Sequence, residues 1–243
     1  MSFEGVLNIL NELTPDTTVG ICGHTRPDGD AIGSTLALAS VLSLAGVDVH
    51  PLLSDEETGP ETYAWLSHFG EYQTPSQSPE QLDYLLVLDT PTIKRLNKGS
   101  SYLAKAQSIV LIDHHARQDM PASECLVDTS ASATSQLVWQ LIKASRFEVV
   151  SACAESCFVG LVTDTGSFQH SNTTPQALCD AADMVLAGAD PSKIANKVFN
   201  SKTQAALELE GRVLERLTLV EDNTIGYSYV MESDFEETGA LHS

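Results

Sequence analysis

Thr18-Val19-Gly20-Ile21-Cys22-Gly23-His24-Thr25-Arg26-Pro27-Asp28-Gly29-Asp30 joins an apolar run to a loop carrying one imidazole and two carboxylates. The run reads as a buried strand, and the pattern returns twice. Tyr84 to Leu88 leads into Asp89-Thr90, and Ser108 to Ile112 leads into Asp113-His114-His115. A fourth segment, Thr163-Asp164-Thr165-Gly166, follows a helix-like stretch. Acids and imidazoles at the carboxyl ends of parallel strands converge on the crevice where open α/β sheets bind ligands. Oxygen and imidazole donors without thiolates suit a hard or borderline divalent cation, manganese before zinc. Their number exceeds what one ion needs, which predicts a site for two.

Strand-like and helix-like segments alternate through the first half, so the expected class is α/β: an open, mostly parallel sheet flanked by helices, then a helical connector. Residues 3–13 suit a short amphipathic helix, Ala31 to Ala45 a buried helix ended by Gly46, and Val47 to Leu53 the second strand. Tyr63 to Phe69 reads as a short helix stopped by Gly70, and Glu124 to Val127 as a fifth strand. Helical spacing of Leu137, Val138, Leu141 and Ile142 predicts a helix over Ser132 to Ser145. Residues 151–163 read as another buried helix with Asp164 at its carboxyl end. Thr174-Pro175, an N-cap followed by proline, opens a helix to about Ala187, and Asp190-Pro191 opens the next. Thr224 to Glu232 reads as one strand.

Composition narrows the partners. The 243 residues carry 33 Asp and Glu against 13 Lys and Arg, a formal charge of −20. Duplex nucleic acid is bound mainly by neutralising phosphates, so a long duplex is excluded as a partner. A small anion is not, because bound metals reverse the local field. Asp28, Asp30, Asp89 and Asp164 contribute four negative charges, which two divalent cations would cancel. No segment is long and apolar enough to span a membrane, and Met1-Ser2-Phe3-Glu4-Gly5 does not open a signal peptide. Five scattered cysteines read as reduced core thiols, which places the chain in the cytoplasm.

The motifs also carry a family resemblance. His24-x-x-x-Asp28-x-Asp30-Ala31-x-Gly33-Ser34, the lone Asp89, Asp113-His114-His115 and Gly160 to Gly166 occur in the order of the DHH phosphoesterases, over residues 18–200. Thr163 to Phe168 followed by Ser171-Asn172-Thr173-Thr174 most resembles the nanoRNase branch. Its members degrade very short RNA oligomers and dephosphorylate 3′-phosphoadenosine 5′-phosphate. The resemblance implies that His24 and Asp28 bind one ion, that Asp30, His114 and Asp164 bind a second, and that Asp89 bridges them. It further implies two divalent ions, manganese first, and a small nucleotide or short RNA as substrate. Adjacent histidines on a strand extension point in opposite directions, so the two are not expected to bind the same ion; the resemblance implies that His115 faces the substrate as a clamp or general acid, and Asp113 is expected to orient an imidazole. Alternatives are a manganese-dependent inorganic pyrophosphatase and a non-catalytic, metal-dependent nucleotide-binding module.

The same resemblance divides the chain into a catalytic domain over 1–190 and, over 191–243, a helical connector with the start of a truncated substrate-binding domain. The family's glycine-rich motif ending in histidine does not occur after Thr224. Oligomeric state is not readable from residues, and a homodimer is one option. Pro27 and Gly29 are expected to shape the first loop, and Ser34 to cap the helix or meet phosphate. Arg26 could touch a phosphate oxygen; His50, His68 and His170 are assigned structural or exposed roles.

Overall fold

Five parallel strands form the centre of the computed structural model, which describes residues 2–57 and 59–240. They are β1 (Thr18–Cys22), β2 (Asp48–Leu52), β3 (Leu82–Leu88), β4 (Ala106–Asp113) and β5 (Glu124–Val127), in the order β2-β1-β3-β4-β5. Ile21 pairs with Pro51 on one side and Leu86 on the other; Leu88 pairs with Ile112, and Asp113 with Val127. The chain leaves β1 toward β2 and later returns to β1's other edge as β3. The carboxyl ends of β1 and β3 therefore flank a topological switch point, the crevice where such sheets bind ligands.

Helices α1 (Phe3–Glu12), α2 (Gly29–Leu44), α3 (Thr134–Ala144), α4 (Ser151–Asp164) and α5 (Pro175–Leu186) belong to the same unit. Helix α2 packs on β1, β2 and β3, and α3 packs on β4. It is buried from Gly29 to Leu42 on every face, as expected of a helix apolar all round. The opposite face of the sheet buries Cys22, Leu52, Leu85, Val87 and Leu111 against Leu96 and Tyr102. Those last two come from a 3-10 stretch, Ile93–Ala104, which the sequence pattern did not reveal. Tyr102 anchors it by donating its hydroxyl to the Leu53 carbonyl at 2.6 Å.

Small residues let α2 and α4 approach closely. A Cβ on Gly33 would stand 2.4 Å from the Ser156 carbonyl oxygen and 2.9 Å from the Gly160 nitrogen. Backbone cannot swing aside as a side chain can. Gly33→Ala is therefore expected to cost about 1–3 kcal/mol through overpacking. At about 2–4 °C per kcal/mol, a fall in Tm of several degrees follows. Thermal denaturation in EDTA checks this, and an unchanged Tm would contradict the close approach.

Two expected elements differ. Tyr63 to Phe69 is not a helix: 3-10 turns at Glu61–Tyr63 and Phe69–Glu71 are separated by His68 in the left-handed region, φ 65°. Thr224 to Glu232 is not one strand. Only Ile225–Tyr227 (β7) pairs as a strand, antiparallel with Thr218–Val220 (β6). Asp234 accepts the Met231 N–H at 2.7 Å and so starts helix α8 (Glu232–Thr238).

Helix α6 (Pro191–Val198) leads out of the first unit, and the described residues from Ala195 onward form a second. It holds α7 (Gln204–Glu215), the β6–β7 hairpin and α8, so it is not wholly helical. Its centre is Asp234, buried and held by Arg212 and by both terminal nitrogens of Arg216.

Candidate metal centre

His24 follows β1 and is 3% exposed. Its Nδ1 faces the Thr25 carbonyl oxygen at 2.7 Å, the arrangement that puts the proton there and the lone pair on Nε2 when the ring is neutral. That Nε2 is buried without a hydrogen-bond partner, 3.6 Å from Asp28 Oδ2 and 3.5 Å from Asp89 Oδ2. Asp28 caps α2: its Oδ1 accepts the N–H groups of Asp30 and Ala31 at 3.0 and 3.1 Å, leaving Oδ2 for the site. The left-handed residue of this loop is Arg26, φ 49°, and not Gly29. Glycine at 29 serves another need, since a Cβ there would lie 2.4 Å from Thr163 Oγ1.

Asp89 follows β3 in the left-handed region, φ 53°, which Asp tolerates better than most residues. It is 2% exposed, and its two oxygens face different ways. Oδ2 faces His24, while Oδ1 lies 3.6 Å from His114 Nε2 and 3.2 Å from His115 Nδ1. Asp30, in the first turn of α2, is 1% exposed and points at the start of α3. Asp164, the last residue of α4, places Oδ2 3.3 Å from His114 Nε2. Three triads thus have donor atoms within 4.8 Å of one another: His24–Asp28–Asp89, Asp30–His114–Asp164 and Asp89–His114–His115.

The two histidines do not point in opposite directions. Their rings meet edge to face with centroids 4.2 Å apart, both beside Asp89. Strand β4 ends at Asp113, whose Oδ1 accepts the His115 N–H at 2.7 Å in an Asx turn, so strand alternation no longer applies. The same oxygen meets His115 Nδ1 at 2.9 Å. Asp113 thereby orients His115 and leaves its Nε2 for other partners.

The remaining tentative sites lie elsewhere. Ser34 is buried inside α2 and donates to the Ala31 carbonyl, so it neither caps the helix nor meets phosphate. His50 is engaged by Gln73 and Asp48, and His68 by Glu71. His170 is exposed beside Gly166. Thr134 and Ser135 touch the centre but were missed. Their only signal was a hydroxyl pair where a helix begins, which usually marks a cap.

Burial works against charge on His24, but the nearby carboxylates of Asp28 and Asp89 outweigh it and raise the group to about 9. Asp113 and Asp89 hold His115 up at about 10. Asp89 is desolvated, yet the imidazoles of His115 and His24 beside it keep it well below the usual carboxylate range. Burial, then the charges of Asp89 and Asp164, push Asp30 well up. Burial also raises Asp164, against the pull of His114. A buried imidazole nitrogen without a partner, among carboxylates that repel one another, is the donor set a divalent cation fits.

The sign of the pH dependence follows. His24 and His115 titrate higher folded than unfolded, so their stabilisation is complete below about 6.5 and is lost as pH rises through about 9 and about 10. The raised Asp30 acts in the same direction, losing stability as pH climbs above the unfolded carboxylate value. The EDTA-treated protein is expected to show a Tm that falls steadily from pH 7 to pH 10. Adding Mn2+ at pH 8 is expected to raise Tm and release protons, because ligand imidazoles must be neutral. A pH-indicator titration checks the release; proton uptake would contradict this electrostatic account.

Residues 18–188 match the family described as "DHH family, N-terminal domain". The bifunctional oligoribonuclease and PAP phosphatase NrnA of Thermus thermophilus is 29% identical over 194 residues, 80% of this chain and 57% of the relative. The Bacillus subtilis protein of the same name is 25% identical over 235 residues, 93% of this chain and 70% of the relative. The chain thus spans little more than half of the first relative and about two thirds of the second. The crystal structure of an exopolyphosphatase-related protein from Bacteroides fragilis superposes with a TM-score of 0.88 at 22% identity, covering 99% of this chain and 72% of that one, and shares its α/β fold. The chain belongs to the DHH family.

Proposed function

We propose that the chain is a two-metal phosphohydrolase acting on short oligoribonucleotides, on 3′-phosphoadenosine 5′-phosphate, or on both. The observation that carries this is Asp89, whose Oδ2 faces the His24–Asp28 side while Oδ1 faces His114. A carboxylate so placed can bridge two cations in the manner of two-metal hydrolases. His24 and Asp28 would hold one ion, and Asp30, His114 and Asp164 the other. Two Mn2+ ions bound there would supply an acidified water and charge neutralisation at phosphoryl oxygens.

The other steps fall to the chain's own side chains. His115, half-exposed and held at Nδ1 by Asp113, offers Nε2 to a phosphoryl oxygen or to the leaving oxygen. As imidazolium it stabilises the negative charge that grows there and can donate the proton the leaving group needs. Asp113 keeps the proton on Nδ1 shared and fixes the ring plane. With a net charge of −20, substrates are expected to be small, because long nucleic acid is repelled outside the neutralised site.

The test is Mn2+-loaded protein offered 3′-phosphoadenosine 5′-phosphate, a diribonucleotide and pyrophosphate in parallel. Phosphate release from the first or mononucleotides from the second is the expected result. Turnover of pyrophosphate alone would establish the pyrophosphatase instead. Tight nucleotide binding in calorimetry without any product would establish a binding module.

A further inference from the structure

The first turn of α3 meets two buried carboxylates of the centre, Asp30 and Asp89. Asp30 Oδ2 accepts the Thr134 N–H at 2.6 Å, and Oδ1 accepts the Ser135 N–H at 2.8 Å. Ala133 at the N-cap has no side-chain acceptor to offer, so Asp30, from α2, satisfies two of the helix's unpaired donors. The same Thr134 turns its hydroxyl to Asp89 and donates to Oδ1 at 3.2 Å. Thr134 is wholly buried, and among the described residues that hydroxyl has no other hydrogen bond.

The terminal torsion of an aspartate is broad, so the backbone at position 89 does not by itself decide where each oxygen points. Something must hold Oδ1 toward His114 and Oδ2 toward His24. His115 faces Oδ1 too, but its ring is half-exposed and is shared with Asp113. Thr134 is the rigid partner: a β-branched side chain on a helix whose adjacent N–H already grips Asp30.

We propose that Thr134 is a positioning residue, whose hydroxyl fixes the rotation of the Asp89 carboxylate relative to Asp30 and so sets how the two cations share it. The role rests on Asp89 bridging two ions. Outer hydrogen bonds to ligating carboxylates commonly carry a 10–100-fold share of metal affinity. Thr134 at a helix start reads in the sequence as an ordinary cap, since it stands 104 residues from Asp30 and 45 from Asp89.

Thr134→Val keeps the shape and the backbone N–H but removes the hydroxyl, while Thr134→Ser keeps the hydroxyl. EDTA-treated proteins are titrated with Mn2+, counting free ion by electron paramagnetic resonance and recording the spectrum of the bound ions. Wild type and Thr134→Ser are expected to bind two spin-coupled ions with affinities within a fewfold of each other. Thr134→Val is expected to bind roughly 10–100-fold more weakly and to lose or alter the coupling. A Tm in EDTA close to wild type separates this from unfolding; if Val is not tolerated, Thr134→Ala is read in the same titration. Wild-type affinity and coupling in the variants lacking the hydroxyl would overturn the proposal, as would equal impairment in Thr134→Ser. Wild-type protein that binds no coupled pair would overturn the bridging role of Asp89 itself, a separate outcome.

Discussion

Asp89→Asn is expected to lower metal occupancy below two ions per chain and to reduce turnover about a thousandfold or more, roughly 4 kcal/mol of transition-state stabilisation. The carboxylate presents an acceptor on each side, one toward His24 and one toward His114. An amide has a single acceptor oxygen, and its NH2 can only donate. One of the two faces must then meet a hydrogen-bond donor where a cation should sit. The fold should survive, because Asn also tolerates the left-handed backbone at this position. The Asp89 N–H bond to the Ile112 carbonyl oxygen, 3.1 Å, is a main-chain contact that the substitution leaves alone. Metal analysis after dialysis and the rate with a diribonucleotide check the expectation. Two bound ions with near-normal turnover would show that Asp89 does not bridge.

The same residues show how far the sequence could be read. Strands ending in Asp113 and just before Asp89 were legible because an apolar run of five to eight residues has few alternatives, and the acid after it marks where burial stops. The convergence of those ends then follows from the topology of a parallel sheet. What could not be read depends on distant partners or on the chain leaving its regular period. Asp30 looks like an ordinary first-turn acid until α3, more than a hundred residues later, places two N–H groups against it. The face over Leu85, Val87 and Leu111 is closed by a 3-10 stretch with Lys94, Lys98 and Gly99 inside it and a break at Asn97, φ 45°, where the chain leaves the helical path. The His114–His115 pair was misread for a local reason. The alternation rule was carried past the end of β4, where Asp113 had already turned the chain.

That pair supports the second large effect. His114 is 13% exposed and has Nε2 between Asp89 and Asp164, whereas His115 is 42% exposed and is tethered through Nδ1 to Asp113. The first ring lies among the carboxylates of Asp30, Asp89 and Asp164; the second is more open to solvent. His114→Ala is therefore expected to empty the Asp30–Asp164 position first, leaving the ion at His24 and Asp28 more tightly held. His115→Ala should keep both ions and lose about 10²–10⁴ in rate, the usual share of a positioned acid or electrostatic partner. Asp113→Asn should follow His115→Ala in rate, more mildly, because it disturbs the ring without removing it. Metal stoichiometry separates the roles where activity alone cannot, since all three variants are expected to be slow. Both rings lie within reach of Asp89, so the assignment depends on which one the cation takes. Equal metal loss in His114→Ala and His115→Ala would make both of them ligands, and the group facing the substrate would have to be sought elsewhere.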